Sequence, residues 1–535
     1  ETNDQLKHLE RKFGIRDVNV KRVEDEKGES FEIYVNDMPI YSKGANWIPA
    51  DYFVERLEAE DYRRLLKDAK RANMNTLRIW GGGIYEPDHF YELCDEMGIM
   101  VWQDFMFACS MYPADDSFLE SVDKEARYQV NRLKSYASVI LWCGNNEVAS
   151  AWLSWGWKEE LPDSIWDDYR KLFHELLPKV CSELDPQRLY WPSSPCHGTD
   201  QSNQDQIYGK GDNHYWGVWH GGDDFNAFDD NVGRFMTEYG MQSFPSLSMI
   251  ESFTNEKDRS LDSDVMNVHQ KASLGTGNLM KYVEDYYQVN DDFDSIAGLS
   301  QIMQAEAIRF AVETHRRNMP YCMGTLYWQF NDCWPVISWS SIDYGGNWKA
   351  LHYAARKFFS PLLVSIRDLD NKIEIHVIND QHHEIESEIR LGLFNFNGDT
   401  LFNDSSDIKV EPFSSVIYHT FDKDDLLGGN DPSAIIFRAE LFVGGKVLSR
   451  AHQFFKRPKH LSIPSPDFDY EIERISGKHV ITVRPNSFLC QLHLISTKVR
   501  GVFSDNYLDM LPGEVKMIDF EPSENKELKK SDLRV

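Results

Sequence analysis

The chain has 535 residues and a formal net charge of -29, so it is too long for one hydrophobic core, and its charge opposes phosphate backbones and anionic membrane surfaces. Hydrophobic residues make up 41% and charged residues 27%, the balance of a folded, soluble chain rather than a disordered one. It holds no run of about 18 uninterrupted apolar residues, which excludes a spanning helix; neither nucleic acid nor a membrane is an expected partner.

The opening ETNDQLKHLE is polar, without an initiator Met or the apolar stretch of a secretory signal, and is read as the start of a processed or truncated chain. Residues 9–41 hold two alternating runs, IRDVNVKRV and FEIYVNDMPIY, around the polar EDEKGES. Two strands do not make a stable domain, so 1–40 reads as lead-in strands and the remnant of a preceding β-sandwich. The pattern then changes to apolar runs alternating with amphipathic helical stretches, the mark of repeated βα units. The expected strands are 41–47, 76–81, 99–105, 138–145, 188–194, 213–219, 234–240 and 323–330, with helices such as EAEDYRRLLKDAKRAN, DKEARYQVNRLKSY and AEAIRFAVETHRR between them. Eight such units predict an α/β fold, a (β/α)8 TIM barrel over 41–358 with its active site at the carboxyl ends of the strands. From 359 onward helical periodicity stops, and short strands such as KIEIHVIN, EIRLGLFN and AIIFRAELFV follow. They predict one or two all-β immunoglobulin-like sandwich domains, over 359–457 and 458–535, divided at the Pro-rich KRPKHLSIPSPDF.

The eight cysteines form no CxxC pair, and Asn403-Asp404-Ser405 is an acceptor triplet for N-glycosylation that also arises readily by chance. Candidate chemistry lies at the strand ends. Retaining glycoside cleavage needs one carboxyl group to protonate the leaving oxygen and a second to attack the anomeric carbon. Glu147 closes SVILWCGNNE and Glu238 closes RFMTE. Asn145 and Asn146 set amides beside the first carboxylate, and Asn146 is suited to a sugar hydroxyl next to the anomeric centre. Asp104 in WQDF and Asp332 in FNDCW compete for the same roles on position alone. Gly81-Gly82-Gly83 lacks the Lys-Ser/Thr of a phosphate loop, and His382-His383 would point to opposite faces of a strand. No metal and no cofactor are expected.

The motifs NWIPAD (46–51), NTLRIWGGGIYE (75–86), SVILWCGNNE (138–147), DNHYWGVWHG (212–221), RFMTEYGMQSFPS (234–246) and GTLYWQFNDCWP (324–335) resemble those of glycoside hydrolase family 2 across the whole barrel. Within that family, Trp-Gly-Gly-Gly after strand two and Gly-Asn-Asn-Glu at strand four resemble β-mannosidases more than β-galactosidases or β-glucuronidases. The resemblance implies a retaining exo-glycosidase that removes terminal non-reducing β-D-mannose from oligosaccharides such as the Manβ1-4GlcNAc of N-glycan breakdown, and residence in the lysosome. It implies Glu147 as acid/base and Glu238 as nucleophile, with Arg78, Trp80, Asn146, His214, Tyr215 and Trp328 around the terminal sugar. Family members carry a jelly-roll and an immunoglobulin-like domain before the barrel, whereas only about 40 residues precede it here. The reading therefore expects an intact catalytic pair in an incomplete substrate shell, with those N-terminal domains as a partner. Rival readings are a family 2 hydrolase of another β-glycoside and a catalytically silent chain.

Overall fold

The computed structural model describes residues 12–198, 208–476, 478–523 and 526–535; the polar opening segment lies outside these. Eight parallel strands carry the architecture: β1 (Ser42–Trp47), β2 (Thr76–Ile79), β3 (Met100–Asp104), β4 (Val139–Cys143), β5 (Leu189–Trp191), β6 (Asn213–His214), β7 (Met236–Glu238) and β8 (Gly324–Tyr327). They are members of one sheet in the order β5-β4-β3-β2-β1-β8-β7-β6, the cyclic succession of a (β/α)8 fold. Every residue of β1, β2, β4, β7 and β8 is buried, as expected of strands covered on both faces. All eight strands fall where the alternating pattern predicts them, though each is shorter.

The chain divides into two compact units, one of 1–40, 58–70 and 75–212, the other of 41–57, 71–74 and 213–535. In the first, Val18–Lys21, Glu32–Val35 and Met38–Ile40 form a small antiparallel sheet. Asn36 and Asp37 turn it at φ 52° and 62°, the left-handed pair that a two-residue hairpin demands. Strands β2 to β5 pair in succession with helices between them. The helix Asp116–Leu133 starts where the Asp115 carboxylate accepts the N–H groups of Ser117 and Phe118. The helical stretch before β5 runs from Asp163 to Leu184 with a wider turn at Lys171–Leu176. The cause is Pro178, which has no N–H for the regular ladder.

In the second unit the sixth strand departs from expectation. Only Asn213–His214 pair in the sheet; from Trp216 the chain leaves it, and Trp219 reaches φ 84°. Polar contacts draw it away, because the Tyr215 hydroxyl donates to Asp223 at 2.7 Å and the Trp219 N–H donates to the Tyr282 hydroxyl at 3.0 Å. After the helix Ala350–Phe358, strands Leu362–Asp368, Lys372–Asn379 and Ser414–Asp422 form one antiparallel sheet, and Thr400–Val410, Ile385–Asn395, Ile435–Val443 and Lys446–Gln453 a second. Val364, Ile375 and Val377 of the first share a core with Leu391, Leu393, Phe437 and Leu441 of the second. That is a sandwich, two sheets packed face to face over a shared apolar core. A further antiparallel sheet joins Phe468–Ile475, Lys478–Pro485, Lys516–Pro522 and Gly501–Phe503.

A buried charge cluster joins the sandwich to the amino-terminal end of β1. Asp380 accepts from Lys43 at 2.7 Å and from Arg316 at 3.0 Å, and all three side chains are at least nine-tenths buried. One carboxylate cannot neutralise two cations. The remainder falls on carbonyls at the carboxyl end of the helix Ala350–Phe358: Lys43 donates to Phe359 O at 2.9 Å, and Arg316 to Phe358 O at 2.5 Å and Ser360 O at 2.8 Å. Helix dipole and unsatisfied carbonyls both favour cations there. Asp380→Ala leaves two buried cations without their anion and should cost about 3–5 kcal/mol, read as a lowered midpoint in thermal unfolding followed by circular dichroism. The triple variant Lys43→Met, Arg316→Met, Asp380→Leu should lose less than Asp380→Ala alone.

Candidate active site

In the first unit the site is built by pairing that continues past the strand ends. Beyond Cys143, Gly144 N–H donates to Trp191 O at 2.7 Å, Asn146 N–H to Phe107 O at 2.9 Å and Glu147 N–H to Ser194 O at 2.8 Å. These bonds deliver Glu147, half-buried, at φ 59°, a left-handed conformation that costs a residue with a Cβ roughly 1–2 kcal/mol. Asn145 is a brace: its side-chain oxygen accepts from Val148 N–H at 3.1 Å and from the Ser193 hydroxyl at 2.7 Å. Asn146 is held differently, accepting from Arg78 Nη2 at 2.7 Å and donating to Cys109 Sγ at 3.4 Å. The same Cys109 thiol donates to Glu147 Oε2 at 3.7 Å.

Arg78 is fully buried and paired with Asp104, Nη2 to Oδ2 at 2.9 Å and Nε to Oδ1 at 3.3 Å. Asp104 also accepts from Trp102 Nε1 at 3.0 Å and Gly81 N–H at 3.0 Å. An ionised carboxylate offers about four lone-pair sites, and all are used. Burial pushes the Asp104 carboxyl above its ordinary range while Arg78 and the Gly81 N–H pull it back. Gly81 is required by close approach, since a Cβ there would fall 2.5 Å from Phe107 O. The Trp80 indole folds over Gly82, and Gly83 N–H closes the turn on Trp80 O at 3.0 Å, so the three glycines form a strand-end turn.

In the second unit Glu238 ends β7, 3% exposed. Its carbonyl accepts from Tyr215 N–H at 2.9 Å, and its Oε2 lies 3.5 Å from His214 Nδ1. Tyr215 is buried with its hydroxyl committed to Asp223. Trp328 follows β8, half-buried, its N–H donating to Tyr239 O at 2.9 Å. At Gly240 a Cβ would fall 2.6 Å from Trp328 O and 3.0 Å from the rings of Trp216 and Trp339. The structure thus gathers Arg78, Asn146 and Glu147 around Asp104 in one unit, with Trp80 on the adjoining glycine turn, and His214, Tyr215 and Glu238 in the other, with Trp328 on the segment paired to Tyr239. Sequence reasoning passed over Cys109, Trp216 and Trp339. Trp216 and Trp339 stand in aromatic-rich stretches without a pattern that separates them from core, and Cys109 has no partner cysteine at a telling spacing.

Asp332 is engaged like Asp104, accepting from the Ser340 hydroxyl at 2.7 Å and Gln329 Nε2 at 3.2 Å, and it is buried in the field of Lys349. Burial raises the Asp332 carboxyl and, against the pull of Asp332 and Asp343, lowers the Lys349 ammonium.

The eight-unit barrel, the strand-end carboxylates and the sandwiches that follow define a chain with the architecture of a modular glycoside hydrolase. Two domain families match its carboxyl-terminal part: a Mannosidase Ig/CBM-like domain over residues 371–460 and an Ig-fold domain over 463–535. The chain is 40% identical over 371 residues to the β-mannosidase of Capra hircus, covering 65% of this chain and 42% of that one. It is 31% identical over 546 residues to β-mannosidase B of Neosartorya fischeri, covering 96% of this chain and 63% of that one. Its structure is similar to the crystal structure of β-D-mannosidase from Dictyoglomus thermophilum, with a TM-score of 0.90 and 37% identity, covering 98% of this chain and 63% of that one. The chain is similar to these β-mannosidases, and it spans less than two thirds of the length of each of them.

The Asp332–Lys349 pair makes stability depend on pH. Between the ordinary carboxylate range and neutrality the folded chain keeps a proton on Asp332 that the unfolded chain has lost, so stability falls as pH rises through that window. The depressed Lys349 acts in the alkaline window, where the unfolded chain binds the extra proton and stability rises with pH. Thermal midpoints measured from about pH 4 to pH 7 should fall less steeply in Asp332→Asn than in the parent chain.

Proposed function

We propose that the chain is the catalytic part of a retaining exo-β-mannosidase that removes terminal non-reducing β-D-mannose from oligosaccharides such as the Manβ1-4GlcNAc of N-glycan breakdown. The observation that carries the reading is the position of two glutamates: Glu238 ends one parallel strand and Glu147 follows another on continued strand pairing. Catalytic groups of this fold sit at those carboxyl ends. The names of the relatives supply the sugar. The barrel over 41–358 carries the chemistry, and the regions 359–457 and 458–535 are its accessory modules.

In the first step Glu238 attacks the anomeric carbon as the bond to the leaving oxygen breaks, and Glu147 gives that oxygen its proton. The product is a mannosyl ester on Glu238. In the second step Glu147, now ionised, takes a proton from water, the water oxygen attacks the anomeric carbon and the ester breaks, so two inversions give retention. His214 beside Glu238 Oε2 orients the nucleophile, and Asn146 offers its amide to the sugar hydroxyl adjoining the anomeric carbon, with Arg78 fixing which way that amide faces. Trp80, Trp328 and Tyr215 wall the pocket for the terminal sugar. Lysosomal residence, carried over from animal members of the family, belongs to the same proposal.

Incubation with 2-deoxy-2-fluoro-mannosyl fluoride followed by intact and peptide mass measurement should place one sugar adduct on Glu238. Glu147→Ala should lower kcat/KM on mannobiose about 10²–10⁴-fold and do less on 4-nitrophenyl β-mannoside, whose leaving group needs no proton. A panel of 4-nitrophenyl β-glycosides tests the sugar. Turnover of the glucoside, galactoside or glucosaminide above the mannoside would reassign it, and a chain that forms no adduct and turns over nothing would be a binding or scaffold chain.

A further inference from the structure

We propose that Cys109 is a positioning residue of the acid/base centre, its thiol bridging the Asn146 amide and the Glu147 carboxylate so that the three move as one hydrogen-bonded unit. The proposal rests on the assignment of Glu147 as acid/base. The geometry is directional: Asn146 Nδ2 donates to Sγ at 3.4 Å, and Sγ donates to Glu147 Oε2 at 3.7 Å. A thiol is both a weak acceptor and a weak donor, and both capacities are used. Sulfur tolerates separations near 3.5 Å, which a hydroxyl at the same position would not span without moving.

The placement of the thiol is held by the backbone. Cys109 sits at φ 46°, in the left-handed region, its N–H donates to Asn146 O at 3.0 Å, and the preceding residue Ala108 is in parallel bridge contact with Asn146. The Tyr112 hydroxyl accepts from Ala108 N–H at 2.9 Å and donates to Ala108 O at 3.2 Å, closing the loop from the other side. Of the eight cysteines, Cys109 is the exposed one. It therefore meets reagents and substrate while touching the carboxylate that must give and take a proton. A buried structural thiol has no such access.

Two consequences follow. A hydrogen bond donated to the ionised form of Glu147 favours that form, so its loss should make the acid hold its proton to higher pH. In return, the negative carboxylate disfavours ionisation of the thiol, and the thiolate is the form that reacts with alkylating agents. The first consequence is read in the pH dependence of kcat/KM, whose basic limb follows the essential acid of the free enzyme. The second needs no turnover at all.

The experiment alkylates the full chain with iodoacetamide over pH 6–9 and follows the Cys109 peptide by mass spectrometry, with the buried cysteines as slow internal standards. In Glu147→Gln, which keeps the shape and removes the charge, Cys109 should react at least about fivefold faster near neutral pH than in the parent chain. Equal rates overturn the proposal. In kinetics on mannobiose, whose leaving group needs the proton of Glu147, Cys109→Ala should move the basic limb up by about half a pH unit or more, with Cys109→Ser closer to the parent. An unmoved limb in Cys109→Ala also overturns it, because a merely structural thiol would change stability and not the titration of the acid. If the parent chain cleaves no mannoside, the functional reading fails, while the alkylation comparison still decides whether thiol and carboxylate are coupled.

Discussion

Arg78 sets the terms for the ends of β2, β3 and β4. Its guanidinium is fully buried and keeps its charge at any pH the fold survives, so the surrounding chain must supply an anion, fill its donors and exclude alternatives. Asp104 supplies the charge from the next strand, and Asn146 takes a further donor from the strand beyond. Because three successive strands converge on one cation, the register of β2, β3 and β4 is fixed at their carboxyl ends, where side chains must be placed to fractions of an ångström for chemistry. A buried ion pair adds little net stability compared with an apolar replacement; what it adds here is a defined direction for the Asn146 amide.

That direction passes on to the next residue. With the Asn146 oxygen held by Arg78 and its nitrogen engaged by Cys109, the backbone between Asn146 and Glu147 has little freedom. The left-handed turn at Glu147 is where the extended chain ends and the next helix begins. The helix Val148–Ser154 starts at the following residue, and its first N–H is taken by Asn145. Strain at one residue is sustained by hydrogen bonds on both sides of it, the arrangement expected where backbone geometry serves a site.

Much of this was legible in the sequence. The eight parallel strands followed from apolar runs between amphipathic stretches, because burial on both faces leaves a continuous hydrophobic signature. The sandwich strands followed from the end of helical periodicity and the short apolar-rich runs at regular intervals after it. The sixth strand was overextended because HYWGVWHG is aromatic enough to read as a strand, while the contacts that pull it away, from Tyr215 to Asp223 and from Trp219 to Tyr282, join residues up to 63 positions apart. The Asp380 cluster was illegible for the same reason: Lys43 and Asp380 are ordinary surface residue types until a strand and a loop more than 300 positions apart meet. Glu147 and Glu238 could be placed at strand ends by pattern, and their likeness to family motifs separated their roles. Cys109 could not be found, because nothing in its neighbourhood of sequence distinguishes a thiol that touches a carboxylate from one that fills space.

Position alone also left four strand-end carboxylates in competition, and two of them, Asp104 and Asp332, are tied into the fold. Asp104 spends every lone pair on Arg78, Trp102 and Gly81, so a substrate would have to displace an existing donor to reach it. Asp332 is tied to Ser340 and Gln329 with Lys349 behind it. A group so engaged serves as ballast for charge and shape. Glu147 accepts from the Cys109 thiol at 3.7 Å and Glu238 Oε2 lies 3.5 Å from His214 Nδ1; the proposed reaction asks both carboxylates to exchange contacts when an anomeric carbon or a leaving oxygen arrives. Catalysis requires contacts that are stronger in the transition state than before it, and a carboxylate whose bonds are already optimal has nothing further to gain.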